Sequence, residues 1–117
     1  MSERPERVWH FYVDDMIACA EKVLTYCANL DQQAFIDNPL VYDATVRNLE
    51  IIGEAATRIP EDVRLAHPQV PWRILVATRN RLIHGYLGID NDTLWSIVRN
   101  EVPKLLAQLR ELRQRQP

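Results

Sequence analysis

Apolar residues return every three or four positions through four long stretches of this chain, and no stretch alternates apolar with polar over a strand's length. That periodicity confines the fold to packed helices. Residues 8–30 place Tyr12, Met16, Ala20, Val23, Cys27 and Leu30 on one stripe, with Asp14, Asp15, Glu21 and Lys22 outside it. Residues 41–59 do the same with Tyr42, Val46, Leu49, Ile52, Gly53, Ala56 and Ile59, and Pro60 stops them. The small Gly53 and Ala56 allow a neighbouring helix to come close. Between these helices "DQQAFIDNPL" reads as a polar, proline-containing connection, and "PEDVRLAHPQ" has room for one short helical turn. Pro71 stands where a first helical residue should, and "PWRILVATRNRLIH" then meets no breaker until Gly85. A last helix over residues 93–113 is capped by Asp92 or Asp90 and turns Leu94, Val98, Leu105, Leu109 and Leu112 inward. Pro103 should kink or restart it. The expected fold is all-α, an antiparallel up-and-down bundle of four main helices plus a short one.

The 117 residues, 47 % of them apolar, suit a single domain spanning 1–117 with a modest core. No apolar run approaches the roughly 20 residues that cross a bilayer. "MSERPERVWHF" is charged where a signal peptide needs an apolar centre, so the expectation is a cytoplasmic protein without membrane contact. Cys19 and Cys27 lie about 12 Å apart along one helix, too far for a bridge, and are expected to be reduced core residues.

The net charge of −2 hides a division along the chain. Residues 1–72 hold 6 Lys/Arg against 12 Asp/Glu, whereas residues 73–117 hold 8 against 4. The C-terminal part is locally basic. Of the 14 basic residues 12 are arginine, whose planar fork grips phosphate or carboxylate.

The octapeptide "RNRLIHGY", residues 79–86, sharpens that observation. With about 100° of turn per residue, Trp72, Leu75, Val76, Leu82, Ile83 and Tyr86 fall in one arc, and Arg79 sits at its centre. A guanidinium on an apolar stripe costs several kcal/mol unless an anion meets it. Glu50 or Glu54 of the second helix could be that anion, with His84 capping its helix and Tyr86 packing as an ordinary aromatic. Otherwise the stripe faces a cleft or an interface. Asn80 and His84, four apart, share a flank, while Arg79 and His84 lie about 140° apart on an ideal helix. One straight helix does not aim both at a small target. Either the helix breaks near Gly85 and His84 swings inward, or two copies of the helix pool their groups.

The wider pattern resembles a known family. "PWRILVATRNRLIHGYLGIDNDTLWSIVRNEVPKL" is similar to the C-terminal half of the HepT-like branch of the HEPN superfamily: a tryptophan, arginine with asparagine, four residues to a histidine, a tyrosine two further on, a "GID" turn and "LW" before a proline-interrupted helix. "RNLEIIGEAATRIP" resembles that family's second helix, so the likeness covers about residues 8–110. The resemblance implies a homodimeric HEPN fold and a metal-independent endoribonuclease toxin of the HepT/MntA toxin–antitoxin type. Its partners would be RNA, with tRNA and mRNA both open, and an MntA-type nucleotidyltransferase antitoxin. Carried over by position, Arg79 and His84 would be catalytic, Asn80 would support them or hold phosphate, and Tyr86 would receive AMP from the antitoxin. No cofactor and no metal is implied.

Such chemistry suits these side chains. RNA brings its own nucleophile, the 2′-hydroxyl, and a free imidazole titrating near ~6.5 can act as base or acid at neutral pH. Arginine stays charged and stabilises the charge that grows on phosphorus. AMP on Tyr86 would add bulk and negative charge beside the cleft. A module that binds nucleotide or scaffolds the nucleotidyltransferase without cleaving is the alternative. Other constellations are weak: His10, His67 and His84 lack metal-ligand spacing, Asp90 and Asp92 suit a helix cap better than a metal, and "GYLG" lacks the strands of a KH fold. Arg110, Arg113 and Arg115 are expected at a solvated helix end, and Trp9, Trp72 and Trp95 in the core or at a dimer contact.

Overall fold

The computed structural model describes residues 5–85 and 89–115, with side chains from Val8 onward. Helix α1, Pro5–Cys27, buries Trp9, Val13, Met16, Ala20, Val23 and Cys27, a four–three alternation that keeps one face inward over its length. A five-residue helix α2, Gln32–Ile36, follows where the sequence suggested only a connection. A cap and a tertiary contact create it. Asp31 caps it by accepting from the Ala34 N–H at 2.8 Å, and Phe35 is fully buried with ring centroids 5.2 Å from Tyr42 and 5.1 Å from Trp95.

Helix α3, Pro39–Ala56, starts with an Asn38 cap and Pro39 in its first turn. Its buried face includes the expected Leu49, Ile52, Gly53 and Ala56, but also Thr45 and Asn48. Both polar groups are satisfied: Asn48 donates to its own helix at Ala44 O (2.8 Å), and the Thr45 hydroxyl lies 3.6 Å from Cys27 Sγ. The short α4, Glu61–Ala66, fills the place foreseen for one turn. Helix α5 is Trp72–Ile83, and α6, Asn91–Ser96, leads through a π turn at Ile97–Glu101 into α7, Val102–Arg115.

Pro103 explains the π turn. With no N–H it cannot bond the Arg99 carbonyl, and the backbone widens so that the Val102 N–H donates to Ile97 O instead. The expected kink is absorbed there. Val98, Val102, Leu105, Leu106, Leu109 and Leu112 therefore stay on one buried face. Each such side chain contributes about 1.5–3 kcal/mol through burial.

All described elements are helical, as the periodicity requires. Helix α1 packs against both α3 and α7, while α5 packs along α3. Between α5 and the α6–α7 segment the bundle leaves an apolar groove of about 710 Å³, floored by Leu49 and Ile52 and walled by Ile74, Leu75, Ile97 and Leu105. Helix α5 is therefore less covered than its stripe suggested. Of its stripe only Trp72 is buried, Leu75, Val76 and Leu82 are half-buried and Ile83 is 49 % exposed, while off the stripe Ile74 is 65 % exposed. No described helix is long and apolar enough to cross a membrane. Cys19 and Cys27 are buried and unbridged, and burial pushes both thiols above their ordinary pKa, which keeps them neutral.

The α3–α5 seam depends on Gly53. A Cβ there would stand 2.7 Å from Leu75 O and run into Arg79 Cβ, and neither backbone can yield without moving α5. A mid-helix glycine replaced by alanine would ordinarily gain stability. Gly53→Ala is expected to do the reverse, losing about 1–3 kcal/mol through overpacking. A lower urea midpoint at unchanged slope would verify this, and a gain would mean that the seam is looser than described.

Candidate functional site

The close approach at Gly53 delivers Arg79 to the edge of α3. Arg79 Nη2 donates to Glu54 Oε1 at 2.6 Å, Arg79 Nη1 donates to Asn80 Oδ1 at 2.8 Å, and Arg79 Nε is buried without a hydrogen-bond partner. Of the two carboxylates that could meet the guanidinium, Glu54 does so; Glu50 faces Arg47 at 3.4 Å. Arg58 approaches Glu54 from its other side, 3.6 Å from Oε2. The pair is not sealed: the Arg79 side chain keeps 30 % of its exposure and Glu54 45 %. Both border a groove of about 420 Å³ lined by Arg47, Glu50, Ile51, Glu54, Arg79 and Ile83. An ion pair this exposed is worth at most about 1 kcal/mol, so stability alone is a weak reason for it.

Asn80 and Arg79 are thus brought together directly. His84 is placed differently. Helix α5 ends at Ile83, and the His84 N–H bonds the Asn80 carbonyl at 3.2 Å, so His84 forms the cap. Gly85 then takes φ 53°, the left-handed conformation that reverses a helix end, with its N–H 3.4 Å from Leu82 O. The expected break near Gly85 is real, but His84 does not swing inward; it remains exposed at the tip of α5. Tyr86, the residue the resemblance marks for AMP, lies outside the described residues.

Three consecutive polar side chains fasten the far end of the turn. Asp90 caps α6 by accepting from the Thr93 N–H at 2.8 Å, Asn91 Oδ1 accepts from the Tyr42 hydroxyl at 3.0 Å, and Asp92 Oδ1 accepts from Gln32 Nε2 at 2.5 Å. Capping, expected of Asp92 or Asp90, falls to Asp90. The Asn91 and Asp92 ties run to α3 and α2, and sequence reasoning missed them because the partners lie 49 and 60 residues away. Among the described residues no group of His, Cys, Asp and Glu is placed to hold a metal.

Two of the C-terminal arginines expected at a solvated helix end also make ion pairs to α1. Arg110 bonds Glu21 at 2.7 Å and Arg113 bonds Asp14 at 2.8 Å, clasping α7 to α1, while Arg115 pairs with Glu111 on its own helix. Trp9 and Trp72 are core residues, and the Trp72 Nε1–H reaches His67 O at 3.0 Å. Trp95 is half-buried against Phe35, with Arg99 Cζ 5.4 Å from its ring centroid.

Residues 16–112, from within α1 almost to the end of α7, match the family model described as "Ribonuclease HepT-like". The chain belongs to the HepT-like ribonuclease family. Relatives include "Putative RNase MJ1380" of Methanocaldococcus jannaschii, 41 % identical over 90 % of this chain and 94 % of that protein. Another is "Probable ribonuclease HepT" of Thermococcus cleftensis, 34 % identical over 87 % and 93 %. No solved structure matches. In this HepT-like chain the match takes in Arg79, Asn80 and His84 together with Gly53 and Glu54 across the seam.

The Asp90 cap supplies a pH test of how the turn is fastened. Hydrogen bonding from the Thr93 backbone, and then from its side chain, holds the Asp90 carboxyl below its ordinary 3.8. Because the folded value lies below the unfolded one, the cap's contribution is complete above about pH 3.8 and disappears as the pH falls through the lower folded value. Asp90→Asn keeps an acceptor but cannot titrate. The stability advantage of wild type over Asp90→Asn should therefore shrink as thermal melts move from neutral pH to below 3.8; a constant difference would contradict the assigned cap.

Proposed function

We propose that this HepT-like protein is a metal-independent endoribonuclease, the toxin of a toxin–antitoxin pair, acting as a homodimer of single HEPN domains. One observation carries the reading: in a chain of a ribonuclease family, an arginine on an apolar helix stripe is held partly open beside a groove, about one and a half turns from a histidine at the same helix's tip. Because Arg79 leans toward α3 while His84 projects at the end of α5, a phosphodiester gripped by the first is best met by His84 of a second copy. The exposed Ile74 and Ile83 on α5 supply apolar surface for that pairing.

In the proposed reaction the 2′-oxygen attacks phosphorus and its proton passes to one imidazole. The P–O5′ bond breaks, and the other imidazole protonates the departing 5′-oxygen. Arg79 stabilises the oxygens of the pentavalent intermediate. The products are a 2′,3′-cyclic phosphate and a 5′-hydroxyl, so neither water nor a metal-bound hydroxide is consumed in the cleavage. An MntA-type nucleotidyltransferase would silence the toxin by adding AMP to Tyr86, placing negative charge where RNA phosphates enter.

The ion pair to Glu54 favours one rival. A guanidinium already neutralised by a carboxylate suits a non-catalytic module that binds nucleotide or scaffolds the nucleotidyltransferase. Purified protein should cleave single-stranded RNA in the presence of chelator, and Arg79→Ala and His84→Ala should each lose at least about 100-fold in rate. Equal activity in all three preparations points to a contaminant, and no activity with retained RNA binding favours the module. Mass spectrometry after coexpression with an MntA-type enzyme should find adenylate on the peptide that holds Tyr86, and adenylate elsewhere would overturn that assignment.

A further inference from the structure

We infer that Glu54 is a positioning residue for RNA cleavage: its carboxylate, presented by α3, fixes the rotation of the Arg79 guanidinium so that the remaining N–H groups meet the scissile phosphate. The inference rests on the ribonuclease reading above.

Three constraints converge on one side chain. Gly53 admits the Arg79 Cβ against the α3 backbone, Glu54 takes Arg79 Nη2 at 2.6 Å, and Asn80 takes Arg79 Nη1 at 2.8 Å. An arginine stem left to itself samples many rotamers, at an entropic cost to any hydrogen bond it then makes. Two acceptors on different terminal nitrogens remove that freedom before substrate arrives. Of five N–H groups the two contacts use two, and Nε is buried, so the terminal nitrogens keep N–H groups for phosphoryl oxygens.

Charge decides between positioning and blockade. A carboxylate facing only Arg79 would cancel it and compete with phosphate. Glu54 is shared, however, with Arg58 at 3.6 Å on its second oxygen, so the Arg58–Glu54–Arg79 trio retains one positive charge. Groove and trio together still attract an anion, and Glu54 serves chiefly as a fixed acceptor. The modest worth of such an exposed pair to stability removes the simplest structural reason for it.

The test uses the full chain with Glu54→Ala and Glu54→Gln, measured for cleavage of single-stranded RNA, thermal melting, and the ¹⁵N resonances of the arginine guanidinium groups. Glu54→Ala should lower kcat roughly 10- to 100-fold with KM within about threefold, as expected for a misplaced reacting group. The Arg79 signals should also collapse to freely rotating averages in that variant. Glu54→Gln retains an acceptor and should restore most of the rate and the restricted Arg79 signals. Unchanged or raised kcat in a folded Glu54→Ala protein overturns positioning while leaving the nuclease intact, a raised value marking Glu54 as a competitor. Ordered Arg79 signals in Glu54→Ala overturn it as well. Inactive wild-type protein instead sinks the ribonuclease reading, and with it any role for Glu54 in cleavage, whatever the resonances report.

Discussion

The absence of a side chain at position 53 governs how the candidate site is assembled. Because nothing projects there, the α5 backbone lies against α3 closely enough that the Leu75 carbonyl occupies the space a Cβ would need. The next residue on α3 is Glu54, and the next turn of α5 carries Arg79. A single close approach thus converts two separate sequence positions into an ion pair, and a wider seam would leave the guanidinium without an anion on a half-buried stripe. Helix α5 has this one main helical neighbour, α3, so the seam also sets where its C-terminal tip, with His84, projects.

Electrostatics divide differently in space than along the chain. The C-terminal surplus of positive charge suggested a basic face, but Arg110 and Arg113 are spent on Glu21 and Asp14 of α1, where they act as clasps. At the α3–α5 groove Arg47 and Arg79 line the walls beside Glu50 and Glu54, and Arg58 flanks Glu54 from outside.

The end of α5 and the start of α6 are fixed by unlike means. At the first, Gly85 supplies a backbone conformation open to few other residues. At the second, Asp90, Asn91 and Asp92 each make a distinct hydrogen bond, one within α6 and two to distant elements. Together these bonds anchor the start of α6 to α2 and α3. At Pro103 a π turn takes up the missing N–H and leaves the leucine face of α7 continuous with Leu94 and Val98.

Helix content, the inward faces of α1 and α7, the stops at Pro60 and Gly85, the close approach at Gly53 and the oddity of Arg79 were legible in the sequence, because each follows from spacing or backbone chemistry within a few residues. Helix α2 was less so, since burial of Phe35 between Tyr42 and Trp95 joins residues from three elements. The partner of Arg79 was narrowed to Glu50 or Glu54 by reach alone; the choice needed the rotation of α3 about its axis. The outward setting of His84, the pairing of Arg110 and Arg113 with α1 and the open groove beside α5 belong wholly to tertiary structure. Periodicity says which face of a helix is apolar, but only the packing of neighbours determines how much of that face is covered and which charges meet across it.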